Sequence, residues 1–497
     1  MSTAEVFPPE RDQAKGLAGA LERRLADLAE TVTRLEARVA TLEGRAPGQI
    51  TPTVMAPTEG FRSTPNAAPL APAKADLPNP IRLMGLIGRT CLILGGATFI
   101  RALVDAGTIH RGWGVALGLA FAITWAILAD RARHTLDSAF HALASILIAY
   151  PLLVESTARF GILEPGLAAF LLLAVTGLHG AVAWRRNLQP IIWLATLASL
   201  GSGFAVMTGR RAIEPFLLVF LILGLGSLWV TYGRRWHGLR WPTALAANLG
   251  VLILTSLAAW PGGAPEIYRG ISPGRAMGFA LALAVLYIGS FAIRMLQQQR
   301  VVNAFEKLQT LLVLLVGFGG AFRVALATGS GAGVLGAGAS VAGLGCYATA
   351  LRFAKDQEET RANFNFFTYL ALILGLLGGS ILLPTTQFGS LAAAAGLGLM
   401  VAGLNLRRIA LFVQSGLFLL IGAAASGLLG WSLRAFFVAG GASASLPLSG
   451  LFSLGFLAGA VAWFLLHRPS AATTRRLRPL ILGLGAVAAT GAGALIV

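Results

Sequence analysis

Seven ionisable side chains stand within, or at the end of, long apolar runs of this chain: Arg89, Arg101, Asp105, His141, Glu155, His179 and Arg323. A charge near the centre of a bilayer costs roughly 2.5–3.5 kcal/mol on insertion scales, so residues of this kind mark substrate paths, proton relays or buried pairs. Their order along the chain gives each a depth. Arg101, Asp105, Glu155 and Arg323 fall toward one face of the membrane, and Arg89, His141 and His179 toward the other. Glu155 is the one carboxylate placed inside a span, and Arg101 and Arg323 share its depth. The spacing therefore predicts an ion pair between Glu155 and one of these arginines, tying the first, third and ninth spans together. Snorkelling to the headgroups is the plainer role for residues a turn from a helix end. For the two histidines it is a satisfied structural hydrogen bond.

Enzyme and nucleotide signatures are missing. The chain has no HExxH, CxxC, GxSxG or GxxxxGK[ST] sequence, so neither a zincin helix, a nucleophile elbow nor a phosphate-binding loop is specified. Its six histidines are scattered, and no metal site or cofactor is expected. Cys91 and Cys346 both lie in apolar runs, which favours inert thiols.

The elements that must position these side chains are apolar segments of about twenty residues, the length that crosses a ~30 Å hydrocarbon core. Charged residues make up 12% of the chain and apolar ones 56%, against about 25% charged in soluble domains. About fifteen spans are read, at 83–104, 112–129, 139–156, 166–184, 190–208, 215–233, 241–260, 276–295, 308–326, 332–351, 364–384, 388–405, 409–430, 448–467 and 479–497. The net charge of +18 does not indicate nucleic acid, because the basic residues alternate between loops. Arg131 and Arg133, Arg185 and Arg186, Arg234 and Arg235, Arg407 and Arg408, and Arg475, Arg476 and Arg478 fall on the side of the amino terminus. Opposite loops carry fewer, among them Arg111, Arg159, Arg269 and Arg434. By the positive-inside rule the amino terminus is cytoplasmic, and an odd span count puts Val497 outside. The expected location is the inner (cytoplasmic) membrane, with the lipid bilayer as the main partner.

Three segments precede the spans. Residues 1–13 are polar and read as disordered. Over residues 14–44, Leu21, Leu25, Leu28, Val32, Leu35, Val39 and Leu42 alternate four and three apart, the seam of a cytoplasmic coiled coil. Self-association, or docking of a protein partner, is expected there. Residues 45–80 hold prolines from Pro47 to Pro80 and read as a spacer; residues 81–497 form the membrane domain. Within it, Gly329, Gly333 and Ala337, and in parallel Ala332, Gly336 and Ser340, recur every four residues, as do Gly485, Ala489 and Gly493. Small residues at that spacing let helix backbones approach closely.

From Leu83 to His134 the sequence carries Gly85 and Gly88, the pair Gly95-Gly96 followed by Phe99 and Arg101, and Gly112-Trp113 opening the second span. It resembles here the domain-of-unknown-function 2339 family of bacterial membrane proteins, which also join a coiled coil and a proline-rich linker to many spans. The resemblance implies an all-α transmembrane bundle and no particular activity or catalytic residue. Three functions fit the sequence: a transporter or flippase for an envelope-related substrate, a scaffold organising an envelope complex through its coiled coil, or, less expected, an acyltransferase-type membrane enzyme using His141 or His179.

Overall fold

A computed structural model describes residues 26, 27, 30, 31 and 34 and residues 80–495, apart from 235, 237, 269, 299, 354–357, 438–444 and 468–470. The expected disordered start, most of the coiled coil, the proline-rich spacer and Val497 lie outside the described residues. The chain divides into residues 1–83 and 84–497.

Every regular element among the described residues is helical. The order is α1 (Pro80–Asp105), α2 (Arg111–Arg131), α3 (Thr135–Arg159), α4 (Pro165–Arg186), α5 (Gln189–Gly209), α6 (Ile213–Gly233), α7 (Arg240–Ala258), α8 (Pro273–Gln298), α9 (Ala304–Thr328), α10 (Ala332–Arg352), α11 (Glu358–Leu382), α12 (Thr385–Leu406), α13 (Ile409–Ala425), α14 (Leu428–Phe437), α15 (Leu448–His467) and α16 (Ala471–Ala494). Helices are what such apolar segments must form, because lipid offers nothing to bond their backbone N–H and C=O groups. The ends follow local chemistry. Pro165 opens α4, Asn187 closes it in the left-handed conformation, and Asn303 with Glu306 forms a capping box that starts α9.

Among the described residues, thirteen helices are long and apolar enough to cross a membrane, or fourteen if one bent pair counts as a single span. That pair is α13 with α14. The expected straight span at 409–430 instead breaks at Ser426-Gly427 and turns by 64°, with Gly427 at φ +84°. The 26-residue α1 occupies the position of the first expected span and is not among the thirteen.

Two large apolar cores, with smaller clusters beside them, hold the bundle. One runs from α2 to α11, and the other joins α12, α13, α15 and α16 through Met400, Phe412, Leu419, Leu457, Phe464 and Leu484. The perimeter is equally apolar: Trp113, Leu147, Phe170, Leu245, Val285 and Leu344 are all exposed. A continuous apolar exterior is unsuited to water but is matched by lipid. This is the build of a multi-pass helical membrane protein.

Only one of the two small-residue series on α10 is used for close packing. A Cβ on Gly336 would meet Ile381 and Leu382 at 3.0 Å, and one on Gly343 would meet the backbone of Ala371 and Gly375 at 3.2 and 3.1 Å. From the facing helix, Gly378 is pressed against Ser340 and the Gly336 carbonyl. Gly333, in the other series, has open space around it, as has Gly485 on α16. Gly329 lies outside the helices, as the left-handed cap of α9. Cys91 and Cys346 are free thiols.

Candidate functional site

The first three helices enclose a half-open crevice of about 540 Å³, within the roughly 300–1,000 Å³ of small-molecule sites. Each helix contributes one stripe. Thr90, Ile93, Ala97, Ile100, Arg101 and Val104 come from α1; Arg111, Gly114, Val115, Gly118 and Phe121 from α2; Phe140, Leu143, Ala144, Leu147, Ile148, Pro151, Leu152, Glu155 and Ser156 from α3. These steps of three and four residues are one face of a helix. From Thr90 to Val104 the crevice follows α1 for about 21 Å at 1.5 Å per residue.

Glycines let the walls meet. The Phe121 ring lies over Gly96, Val104 packs on Gly114, and Leu152 packs on Gly118. Toward the Arg89 end, Ile93, Trp125 and Ala144 form a small buried cluster with Phe121, Phe140 and Ile148 packed on it. At the same end Arg89 Nη1 bonds Asp137 Oδ1 at 2.7 Å, a half-exposed pair joining α1 to α3. The other end is charged, with Arg101, Arg111, Glu155 and Ser156 lining the crevice.

Glu155 opens a five-residue π-turn that ends α3, four residues after Pro151. Such turns are rare and are common at functional sites. With Leu147 and Pro151 it also lines a second, more open groove of about 410 Å³ between α3 and α5, so the carboxylate stands between two cavities. The expected ion pair is not formed: among the described residues no salt bridge joins Glu155 to Arg101 or Arg323. Arg101 shares the crevice with Glu155. Arg323 is exposed on α9, which packs against α7 and α8, whereas the Glu155 turn packs against α5. Equal depth placed the two residues at one level without placing them on neighbouring helices. Asp105 ends α1, and its side chain lies outside the described residues.

The other expected group comes together in part, along one face of α3. Asp137, His141 and Ser145 follow at intervals of four. Asp137 holds Arg89; the His141 ring lies 5.1 Å from Trp125 between centroids, with Nδ1 unpartnered. Ser145 Oγ lies 3.0 Å from His179 Nε2 and 2.7 Å from the Ala122 carbonyl oxygen. His179 Nδ1 bonds the Val175 carbonyl at 2.8 Å. A serine within reach of a histidine suggests a nucleophile and its base. Yet both are fully buried, Ser145 is not among the residues lining the crevice, and a backbone carbonyl occupies the position where an acid would orient the ring. The arrangement ties α2, α3 and α4 together.

Sequence reasoning missed the most buried ion pair among the described residues. Arg294 and Glu306, with side chains 9% and 0% exposed, pair at 2.6 Å. The Glu306 carboxylate also accepts from Asn303 N at 2.9 Å and Tyr232 Oη at 3.3 Å. Arg294 lies over the Tyr232 ring and donates to the Val301 carbonyl. Arg408, expected in a loop on the amino-terminal side, is likewise buried, with its guanidinium over Phe364. The sequence signal was the Asn-x-x-Glu of the capping box at 303–306. No three His, Cys, Asp or Glu side chains come together in a metal-binding arrangement among the described residues.

No family model, no curated protein and no solved structure matches the chain.

Proposed function

We propose that the protein is a transporter of flippase type, moving an amphipathic, envelope-related substrate along the crevice between α1, α2 and α3. The observation that carries this reading is the crevice's division into a long apolar wall and one charged end. Such a surface suits a molecule with a hydrocarbon body and a polar head. The layout of α1 supports it further. The helix is tied to α3 by the Arg89–Asp137 pair and the cluster around Ile93, while Leu92 and Phe99 on its other side are exposed. A helix packed on one side through Ile93, Gly96 and Val104 and bare on the other is suited to act as a lateral gate. In this reading the membrane is the cytoplasmic membrane, the amino terminus is inside and the Arg101 end faces outward.

The test is lipid translocation in proteoliposomes. The purified chain is reconstituted with a lipid carrying a head-group fluorophore, and dithionite is added outside. Quenching should proceed beyond the outer leaflet, and Ala97→Phe, which fills the crevice, should slow it. Quenching that stops at the outer leaflet, as in protein-free vesicles, with the protein folded by circular dichroism, would overturn the proposal.

A further inference from the structure

We infer that the Arg89 end of α1 is held by a proton-operated latch, in which a proton taken up by His141 draws Asp137 away from Arg89 and releases α1 from α3. The latch concerns how α1 docks, and it stands whether or not the crevice moves lipid. Arg89 Nη1 meets Asp137 Oδ1 at 2.7 Å, with the two side chains 42% and 33% exposed. A pair this open to solvent is weak, so a modest competing charge is enough to shift it. Asp137 has such a competitor on its own helix. His141 stands four residues further along α3, within reach of Asp137 on the same face, and an acid four residues before a base is the favourable order on a helix.

The surroundings of His141 single out these two charges. Its buried ring lies 5.1 Å from Trp125 of α2 and 5.9 Å from Phe140 between centroids, and Nδ1 has no partner. Arg89 and Asp137 are the charges of the described residues that act on it. Asp130, at the end of α2, is held by Arg185 of α4 at 2.8 Å. From α4 comes His179, whose nitrogens are engaged by Ser145 and the Val175 carbonyl. Along α5, Gln189–Gly209, there is no charged residue. While α1 is docked, Arg89 repels an imidazolium and occupies the carboxylate that would stabilise it. Once α1 has moved away, that repulsion is gone and Asp137 can accept from Nδ1. A proton therefore binds better to the released state, and by reciprocity it favours release. The latch is closed at high pH and opens as pH falls through the histidine range, about 8 to 5.

The experiment uses the full chain in nanodiscs, with Cys91→Ser and Cys346→Ser to remove the native thiols. Spin labels are placed at Met84→Cys on α1 and Leu136→Cys on α3, both well exposed. Double electron–electron resonance then gives the distribution of distances between the two helices. From about pH 8 to about pH 5, the ratio of the longer to the shorter separation should rise about fivefold, the change that one part-exposed ion pair supports. His141→Gln should keep the closed distribution at both pH values. His141→Phe, which retains a ring against Trp125, should do the same and serves if the first variant folds poorly by circular dichroism. Asp137→Asn should give the open distribution at both. A distribution that does not change with pH in the otherwise native chain would overturn the inference. So would a response that survives in the His141 variants, which would place the proton on Asp137. A pH-driven swing of α1 without lipid translocation would remove only the transport proposal. Translocation with no pH-driven swing would remove only this inference.

Discussion

Removing both partners of the Arg294–Glu306 pair should cost clearly less than the sum of removing each one alone. The carboxylate is fully buried and held at 2.6 Å by Arg294, with Asn303 N at 2.9 Å as its next contact. Arg294→Met strands that charge, a loss of about 3–5 kcal/mol for a buried pair broken on one side. Glu306→Gln is milder, at about 2–3 kcal/mol. Its amide oxygen still accepts from Asn303 N, and the guanidinium keeps the Val301 carbonyl and the face of Tyr232. The double variant Arg294→Met/Glu306→Gln leaves no stranded charge and should cost less than the sum by about 2 kcal/mol or more. Arg275–Glu214 is the control: at 2.7 Å its geometry is as good, but Arg275 is 59% exposed, and such a pair is worth about 0–1 kcal/mol. Reversible unfolding in mixed detergent–dodecyl sulfate micelles, followed by tryptophan fluorescence, yields all four terms. An Arg294→Met cost below about 1 kcal/mol, or a double variant equal to the sum of the singles, would refute the reasoning.

Three further outcomes are expected. Gly378→Ala should destabilise by about 1–3 kcal/mol, because its Cβ would lie 2.6 Å from Ser340 N and 2.7 Å from the Gly336 carbonyl oxygen, both backbone atoms; Gly333→Ala, with open space around it, should be neutral or slightly stabilising in the same unfolding assay. Ser145→Ala and His179→Ala should each cost about 1–2 kcal/mol, and together less than their sum, with lipid translocation preserved in Ser145→Ala when measured at equal folded protein; loss of translocation with unchanged stability would instead assign Ser145 a chemical role. For topology, alkaline phosphatase inserted at 354–357 should be inactive and, fused after Val497, active, whereas activity at the first position would reverse the proposed orientation.

Periodicity and burial explain which features were legible in the sequence. Apolar runs specify helices because lipid leaves no other partner for the backbone, so the spans from α2 to α12 appear close to where hydropathy places them. The bend at Ser426-Gly427 was hidden from hydropathy, because the apolar run continues through it with no charged residue to mark the break; the Ser-Gly pair itself was the local signal. Glu155 was legible as a functional candidate for a reason that composition alone does not convey. It continues the stripe Phe140, Leu143, Leu147, Pro151, so its face was set by the helix repeat, and only its partner depended on which helices are neighbours. Asp137 fell just outside the span read at 139–156, and the counter-charge of Arg89 went unnoticed with it. Glu306 was missed on the same principle. A boundary drawn at 308 by hydropathy excludes the first turn of α9, yet that turn is buried, because α6 and α8 bring Tyr232 and Arg294 against it. Hydropathy locates the middle of a span well. At its ends, polarity is compatible both with water and with a buried network, and only packing between helices decides which.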